Sequence, residues 1–168
     1  MEEIAERIFF EKNYPGVVSA VLFLEKGTLL IDLPLRIDDR QSWLKTIADL
    51  GGRNHRLMVM LDAHSDRLSS THMLEFPILT HKNVLQVIPG FFTSINQVGS
   101  QENLKSEGNQ LSPTVRWALP ELTYTSQISL QWDQQPVVVT HHPGVHPAAS
   151  WVEFEPEKVI FVGDTVVI

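Results

Sequence analysis

The chain contains no cysteine. Disulfide bridges and thiolate metal sites are therefore excluded, and a reducing cytoplasm is the expected compartment. Any metal must be held by His, Asp or Glu. Long apolar runs are missing too. None approaches the ~20 residues that a membrane-spanning helix needs, so no membrane partner is expected. The N-terminal Met1-Glu2-Glu3 is acidic, unlike the basic start of a secretory signal. Positive charge is scarce. The 13 Lys and Arg residues face 20 Asp and Glu, a net charge of −7, and they are scattered rather than concentrated as a phosphate backbone would require. Nucleic acid is not expected as a partner. No Gly-x-Gly-x-x-Gly follows a strand-like run, which disfavours a dinucleotide-binding fold. Internal repeats and low-complexity tracts are absent.

What remains reads as one soluble domain over residues 1–168. A chain of 168 residues buries roughly 70% of its unfolded surface, enough for an independent core. Val17 to Leu24 and Thr28 to Asp32 are apolar runs joined by Glu25-Lys26-Gly27, which predicts a hairpin. Asp38 or Asp39 is placed to cap a helix that carries Trp43, Ile47 and Leu50 at helical spacing and stops at Gly51-Gly52. Leu57 to Leu61 predicts a buried strand, and Glu75 to Thr80 a short one containing Pro77. Val84 to Ile95 is apolar, and Gln97 to Pro113 is a polar connection. Strands are then expected over Ile128 to Trp132, Pro136 to His141, Ser150 to Phe154 and Val159 to Val162. Strands outnumber helices and the first two are joined directly, which favours an α+β class over a doubly wound parallel sheet.

Four polar segments each sit at the exit of a predicted strand. They are Asp32, then Asp62-Ala63-His64-Ser65-Asp66-Arg67, then His141-His142-Pro143-Gly144-Val145-His146-Pro147, and finally Gly163-Asp164-Thr165. On extended backbone, residues two apart face the same way, so Asp62, His64 and Asp66 are placed to converge. Taken alone, Asp32 reads equally as a plain turn residue or as a partner that orients a histidine, and the other three segments are more often turns than ligand sets. Their value lies in order: strands sharing one sheet, with exits on one side, gather all four on one rim. His55, His72 and His81 read as turn, surface or packing residues. His141 and His142 are the alternatives to His146 at the site.

The order and spacing of the four segments resemble the metallo-β-lactamase superfamily. The matching stretches are Leu30-Ile31-Asp32, the helix from Trp43 to Gly51, Leu61 to Arg67, His142 to Pro147, and Phe161-Val162-Gly163-Asp164. The resemblance implies an αββα sandwich, shortened at the C-terminus, and a metal-dependent hydrolase. It implies metal ligands at Asp62, His64, Asp66, His146 and Asp164, with Asp66 also accepting the proton of the attacking water. Asp62 stands where the family has its first histidine, and Arg67 where it has a histidine of the second metal. Val145 takes the place of the loop histidine, one residue before His146. The family's final histidine has no counterpart before Ile168.

These departures imply a single divalent metal, zinc first, with manganese or iron also accepted by such a donor set. Arg67 is expected to replace the second metal by pairing with Asp66 or Asp164. The substrate would be a small molecule bearing an ester, amide, thioester or phosphodiester. The alternative is an inactive domain of the same fold that serves as a binding module. The apolar stretch at Val166-Val167-Ile168 further suggests a homodimer that covers it.

Overall fold

A computed structural model describes residues 1–70, 74–86, 119–144 and 146–165. The expected contents of 97–113, most of Val84 to Ile95, Trp117 and the terminal Val166 to Ile168 lie outside the described residues.

Two sheets face each other. The first runs in sequence order through β1 (Glu2–Ala5), β2 (Ile8–Glu11), β3 (Ser19–Leu24), β4 (Gly27–Ile31), β5 (Arg56–Val59), β6 (Ile78–His81) and β7 (Leu122–Tyr124). Its first three pairings are antiparallel and the last three are parallel. The second sheet is antiparallel, in the order β11 (Val159–Phe161), β10 (Ser150–Phe154), β9 (Val137–His141) and β8 (Gln127–Leu130). A mixed sheet, an antiparallel sheet and few helices make an α+β fold.

Strand periodicity sorts the apolar residues into two cores. Leu29, Ile31, Leu57, Val59 and Leu79 face the second sheet, where they meet Val137, Val139, Val152 and Phe154. The alternate residues Leu30, Met58 and Ile78 face the other way and pack against Trp43 and Ile47. With both faces covered, β4 and β5 read as continuous apolar runs rather than alternating ones. Trp43 and Ile47 belong to α1 (Ile37–Asp49), which forms the crossover between the parallel strands β4 and β5. Among the described residues the second α-helix, α2 (Ser65–Ser70), lies on the same side, since Leu68 joins the Trp43 core.

Several boundaries differ from the sequence expectation. Helix α1 begins after Arg36, which makes no side-chain cap bond, and Asp38 and Asp39 lie within its first turn instead of capping it. Acidic residues there still favour the positive end of the helix dipole. At the other end, Gly51 takes a φ of +92°, and the Gly52 N–H donates to Ile47 O at 2.8 Å. The sixth strand starts after Pro77, not at Glu75, because proline has no N–H for the ladder; the Pro77 carbonyl accepts from Met58 N–H at 3.0 Å. Strands β1 and β7 have little apolar signal to announce them, since Glu2 to Glu3 and Leu122 to Thr123 are exposed, whereas β2, with Ile8, Phe9 and Phe10, is an apolar strand that the sequence reading did not include. The segment 65–70 is helical rather than extended. No described helix is long and apolar enough to cross a membrane.

The β3–β4 turn is tightly enclosed. A Cβ on Gly27 would meet the His55 carbonyl oxygen at 2.6 Å and the Trp132 ring at 3.0 Å. The first of these neighbours is backbone that is itself hydrogen bonded, His55 O to Thr28 N–H at 2.8 Å. Gly27→Ala is therefore expected to lose about 1–3 kcal/mol, as an overpacked core position does, read as a fall in the urea midpoint at unchanged slope.

Candidate metal centre

Strand exits carry the polar groups. Asp32 follows β4, Asp62 and His64 follow β5, His146 lies in the loop after β9, and Asp164 follows β11. Asp32 has a φ of +50°, a left-handed conformation that aspartate tolerates better than most residues. Its Oδ1 accepts from Leu61 N–H at 3.2 Å. Gly163 has a φ of +57° and sits against Leu61, with a Cβ position 3.3 Å from that side chain. This close approach brings the end of β11 onto the end of β5.

Arg67 joins these exits. It lies on the first turn of α2 with its side chain only 6% exposed. Nη1 donates to Asp32 Oδ2 at 3.0 Å and to Asp62 Oδ2 at 2.5 Å. Nη2 donates to Asp164 Oδ2 at 2.7 Å. The pairing expected with Asp164 is present. Asp66 is bonded to the Arg67 main chain, its Oδ1 accepting from Arg67 N–H at 2.8 Å. Burial alone would lower the Arg67 pKa; the three carboxylates outweigh it and hold the guanidinium more firmly charged. Burial pushes the Asp32 carboxyl up to about 7, against the pull of Arg67 and with a further push from Asp62.

The remaining groups face a cavity of about 110 Å³. His64 Nδ1 lies 2.8 Å from Asp62 Oδ1 and 4.0 Å from Asp164 Oδ2, and the His64 N–H donates to Asp62 Oδ1 at 3.0 Å. His146 lines the same cavity, its ring centroid 5.4 Å from that of His64. Its Nδ1 accepts from Ala148 N–H at 3.2 Å. Burial lowers the His146 pKa, Asp62 opposes this, and His64 and Arg67 add to the lowering.

Of the five expected ligands, Asp62, His64 and Asp164 each place a ligand atom within 4.8 Å of the other two. His146 joins them at the cavity wall but outside that group. Asp66 lies outside it as well, exposed on α2, because the chain turns helical at Ser65 and ends the two-residue alternation.

His72 lies outside the described residues; His81, His141 and His142 are held elsewhere. His81 stacks on His141 at 3.6 Å, and their Nε2 atoms contact Thr125 O at 2.8 Å and Pro147 O at 2.9 Å. His142 stacks on Trp151 at 3.9 Å. Beneath this loop, Tyr124 Oη donates to Ser150 Oγ at 2.6 Å and Ser150 Oγ donates to Ala148 O at 3.1 Å. This support for the His146 loop has no sequence signal, since an isolated Tyr and Ser carry no motif.

The arrangement of the two sheets is shared with solved structures. BLEG-1, a B3 metallo-β-lactamase, matches with a TM-score of 0.66 at 18% identity, over 96% of this chain and 73% of that one. DIM-1 metallo-β-lactamase matches with a TM-score of 0.66 at 14% identity, over 96% and 67%. A metallo-β-lactamase family protein from Thermus thermophilus matches with a TM-score of 0.63 at 14% identity, over 95% and 60%. The chain has the metallo-β-lactamase fold. It spans between 60% and 73% of the lengths of these three structures. No protein-family model matches the chain, and no curated protein sequence does. At such identities the likeness is one of fold.

In this metallo-β-lactamase fold the donor set fits one cation. Metal–ligand bonds of ~2.1 Å at tetrahedral angles separate donor atoms by about 3.4 Å, and the His64 Nδ1 contacts of 2.8 and 4.0 Å bracket that spacing. The charge also fits. Three carboxylates share one guanidinium, and with Asp32 half protonated near pH 7 between one and two negative charges remain. Arg67 donates to Asp62 Oδ2 and to Asp164 Oδ2, the latter the same oxygen that faces His64 Nδ1, so the guanidinium stands where a second cation would share these carboxylates.

Proposed function

We propose that the chain is a metal-dependent hydrolase of small molecules working with one divalent cation, zinc first among the candidates. The convergence of Asp62, His64 and Asp164 at the mouth of a cavity, with negative charge left over after Arg67 is counted, carries this reading. These three residues would hold the ion. When bound, it supplies Lewis-acid activation of water and of a substrate carbonyl or phosphoryl group.

The chain's own residues supply the rest. His146 accepts a hydrogen bond at Nδ1 from Ala148 N–H, so its neutral ring carries the proton on Nε2. Its lowered pKa keeps it neutral at pH 7. A neutral N–H at the cavity wall is suited to donate to a developing negative charge on substrate; on this reading His146 positions and polarises substrate rather than holding metal. A second cavity, of about 230 Å³, shares Leu61, Val162, Gly163 and Asp164 with the first and is otherwise lined mainly by apolar residues such as Val18, Ile31 and Phe161. It suits the apolar part of an ester, amide or thioester. Arg67, fully engaged by Asp32, Asp62 and Asp164, fixes the spacing of the two carboxylate ligands.

Metal analysis of protein loaded with zinc and then desalted tests the proposal. One equivalent per chain is expected. His64→Ala and Asp164→Asn are each expected to lower affinity by at least tenfold to a hundredfold. Asp66→Asn leaves the stoichiometry at one; a fall in turnover of an ester or thioester panel without loss of metal would assign Asp66 the proton-accepting role. A wild-type chain that takes up no metal from excess zinc, manganese or iron would overturn the hydrolase.

One observation favours a second reading. Asp62 and Asp164 already have a cationic partner in Arg67, and a carboxylate cluster neutralised in this way can stand without metal. The metal-free outcome would therefore point to a binding module of the same fold, using the two cavities for a small-molecule ligand.

A further inference from the structure

A second group of residues, sharing none with the metal centre, carries an unmatched charge. Arg40 lies on the buried face of α1 and is 5% exposed. Its Nε has no hydrogen-bond partner, and its one polar contact is a long one, Nη2 to Leu35 O at 3.5 Å. Among the described residues it forms no ion pair. The carboxylates nearest in sequence do not serve it: Asp39 pairs with Arg36 at 3.8 Å, and Asp38 is exposed. A guanidinium cannot shed its proton to escape burial, and an unpaired buried charge is strongly destabilising. Burial lowers the Arg40 pKa and nothing offsets it. One turn along the same helix, Trp43 is 1% exposed and its Nε1 also lacks a partner. Two orphaned donors at i and i+3 share one helix face.

Arg40 lines a cavity of about 240 Å³ together with Gln41, Leu44, Arg56, Leu74 and Phe76. Arg56, at the start of β5, brings a second guanidinium, and Gln41 an amide. The rest of the wall is chiefly apolar, and Glu75 is exposed at the rim. Two guanidinium groups recognise an oxyanion, their planar fork pairing bidentately with carboxylate and phosphate alike, and the Glu75 carboxylate at the rim disfavours the more highly charged of the two. Leu44, Leu74 and Phe76 would be left bare by a small hydrated anion and are covered by an apolar body.

We infer that this cavity is a binding site for a small carboxylate with an apolar body, seated with its carboxylate on Arg40 and Arg56 and its hydrocarbon against Leu44, Leu74 and Phe76. The site is separate from the proposed hydrolase centre and does not depend on it.

Thermal unfolding of the full chain with phenylacetate, hexanoate and inorganic phosphate tests this. Either organic acid at a hundred times its Kd is expected to raise Tm by roughly 5–10 °C. Arg40→Met, which replaces the unpaired cation by an apolar chain of similar length, is expected to fold with an unchanged or higher Tm and to lose the ligand-dependent rise. Leu44→Trp narrows the cavity while keeping Arg40 and is expected to lose it as well. Zinc stoichiometry stays the same in both variants. Absence of a shift with both acids, an equal shift in Arg40→Met, or a larger shift with phosphate than with either carboxylate would each overturn the assignment.

Discussion

Arg67→Met is expected to cost about 3–5 kcal/mol of folding stability, the loss typical when one member of a buried ion-pair cluster is removed and the other charges stay behind. For a chain of this size that is a fall in Tm of roughly 6–20 °C. The cost comes from Asp32 and Asp62, whose side chains are 2% and 5% exposed. Asp164, at 61% exposed, adds little because solvent screens it. Two companions make the result specific. Arg67→Lys keeps the charge but loses the fork that reaches three carboxylates, so it recovers only part of the loss. Asp32→Asn in the Arg67→Met background removes one buried charge and is expected to restore stability towards wild type. A double variant no more stable than Arg67→Met alone would show that the guanidinium is not what balances Asp32. Metal analysis on the same proteins gives an independent reading. With the guanidinium gone, a second zinc equivalent is expected to bind, since Asp62 Oδ2 and Asp164 Oδ2 are released.

Acidification is expected to stabilise the metal-free protein between pH 8 and pH 5. Asp32 carries the effect, because its carboxyl titrates at about 7 in the folded chain against roughly 3.9 when unfolded. A raised acid binds its proton more tightly in the folded state. The contribution is therefore fully present below the unfolded value and is lost as pH rises through 7. A shift of about three units corresponds to an upper limit of roughly 4 kcal/mol, reached only if no other group titrates against it. Asp32→Asn is expected to flatten the dependence, since the amide cannot ionise. Urea unfolding of both proteins in chelator at pH 5, 6, 7 and 8 measures it. A wild-type chain that loses stability on acidification over that window, while Asp32→Asn does not, would reverse the sign and remove the argument.

Much of the fold was legible because its central strands are buried on both faces. Apolar runs such as Val17 to Leu24 and Leu57 to Leu61 have one reading whichever side they present. Helix α1 was legible for the opposite reason: Trp43 and Ile47 mark one face and glycines close its end. The edges were not legible. Strands β1 and β7 are short and largely exposed, so pairing with a neighbour, not side-chain burial, holds them extended.

The polar cluster shows the same division. Asp62, His64 and Asp164 could be read because each lies within five residues of the end of a strand, β5 or β11, close enough for the strand exit to set where the side chain goes. Asp66 could not be placed, since the chain turns helical at Ser65, with Leu68 joining the Trp43 core. The charged residue Arg67 was legible as a substitution for a histidine. Of its three partners only Asp164 was expected; Asp62 and Asp32, the latter 35 positions before it, were not. Arg40 was legible only through its spacing, three and seven positions before Trp43 and Ile47, which puts it on their buried face although its charge argues for the opposite one.

The separation between Arg67 and Asp164 also sets an order of events during synthesis. A growing polypeptide that has emerged only through β10 already contains Asp32, Asp62, His64 and the arginine that neutralises the two early carboxylates. The third acid arrives with β11, when Gly163 seats on Leu61. The cation-holding corner is thus completed by the docking of one three-residue strand onto β10. Amide exchange in β11 should report directly on how often that corner comes apart.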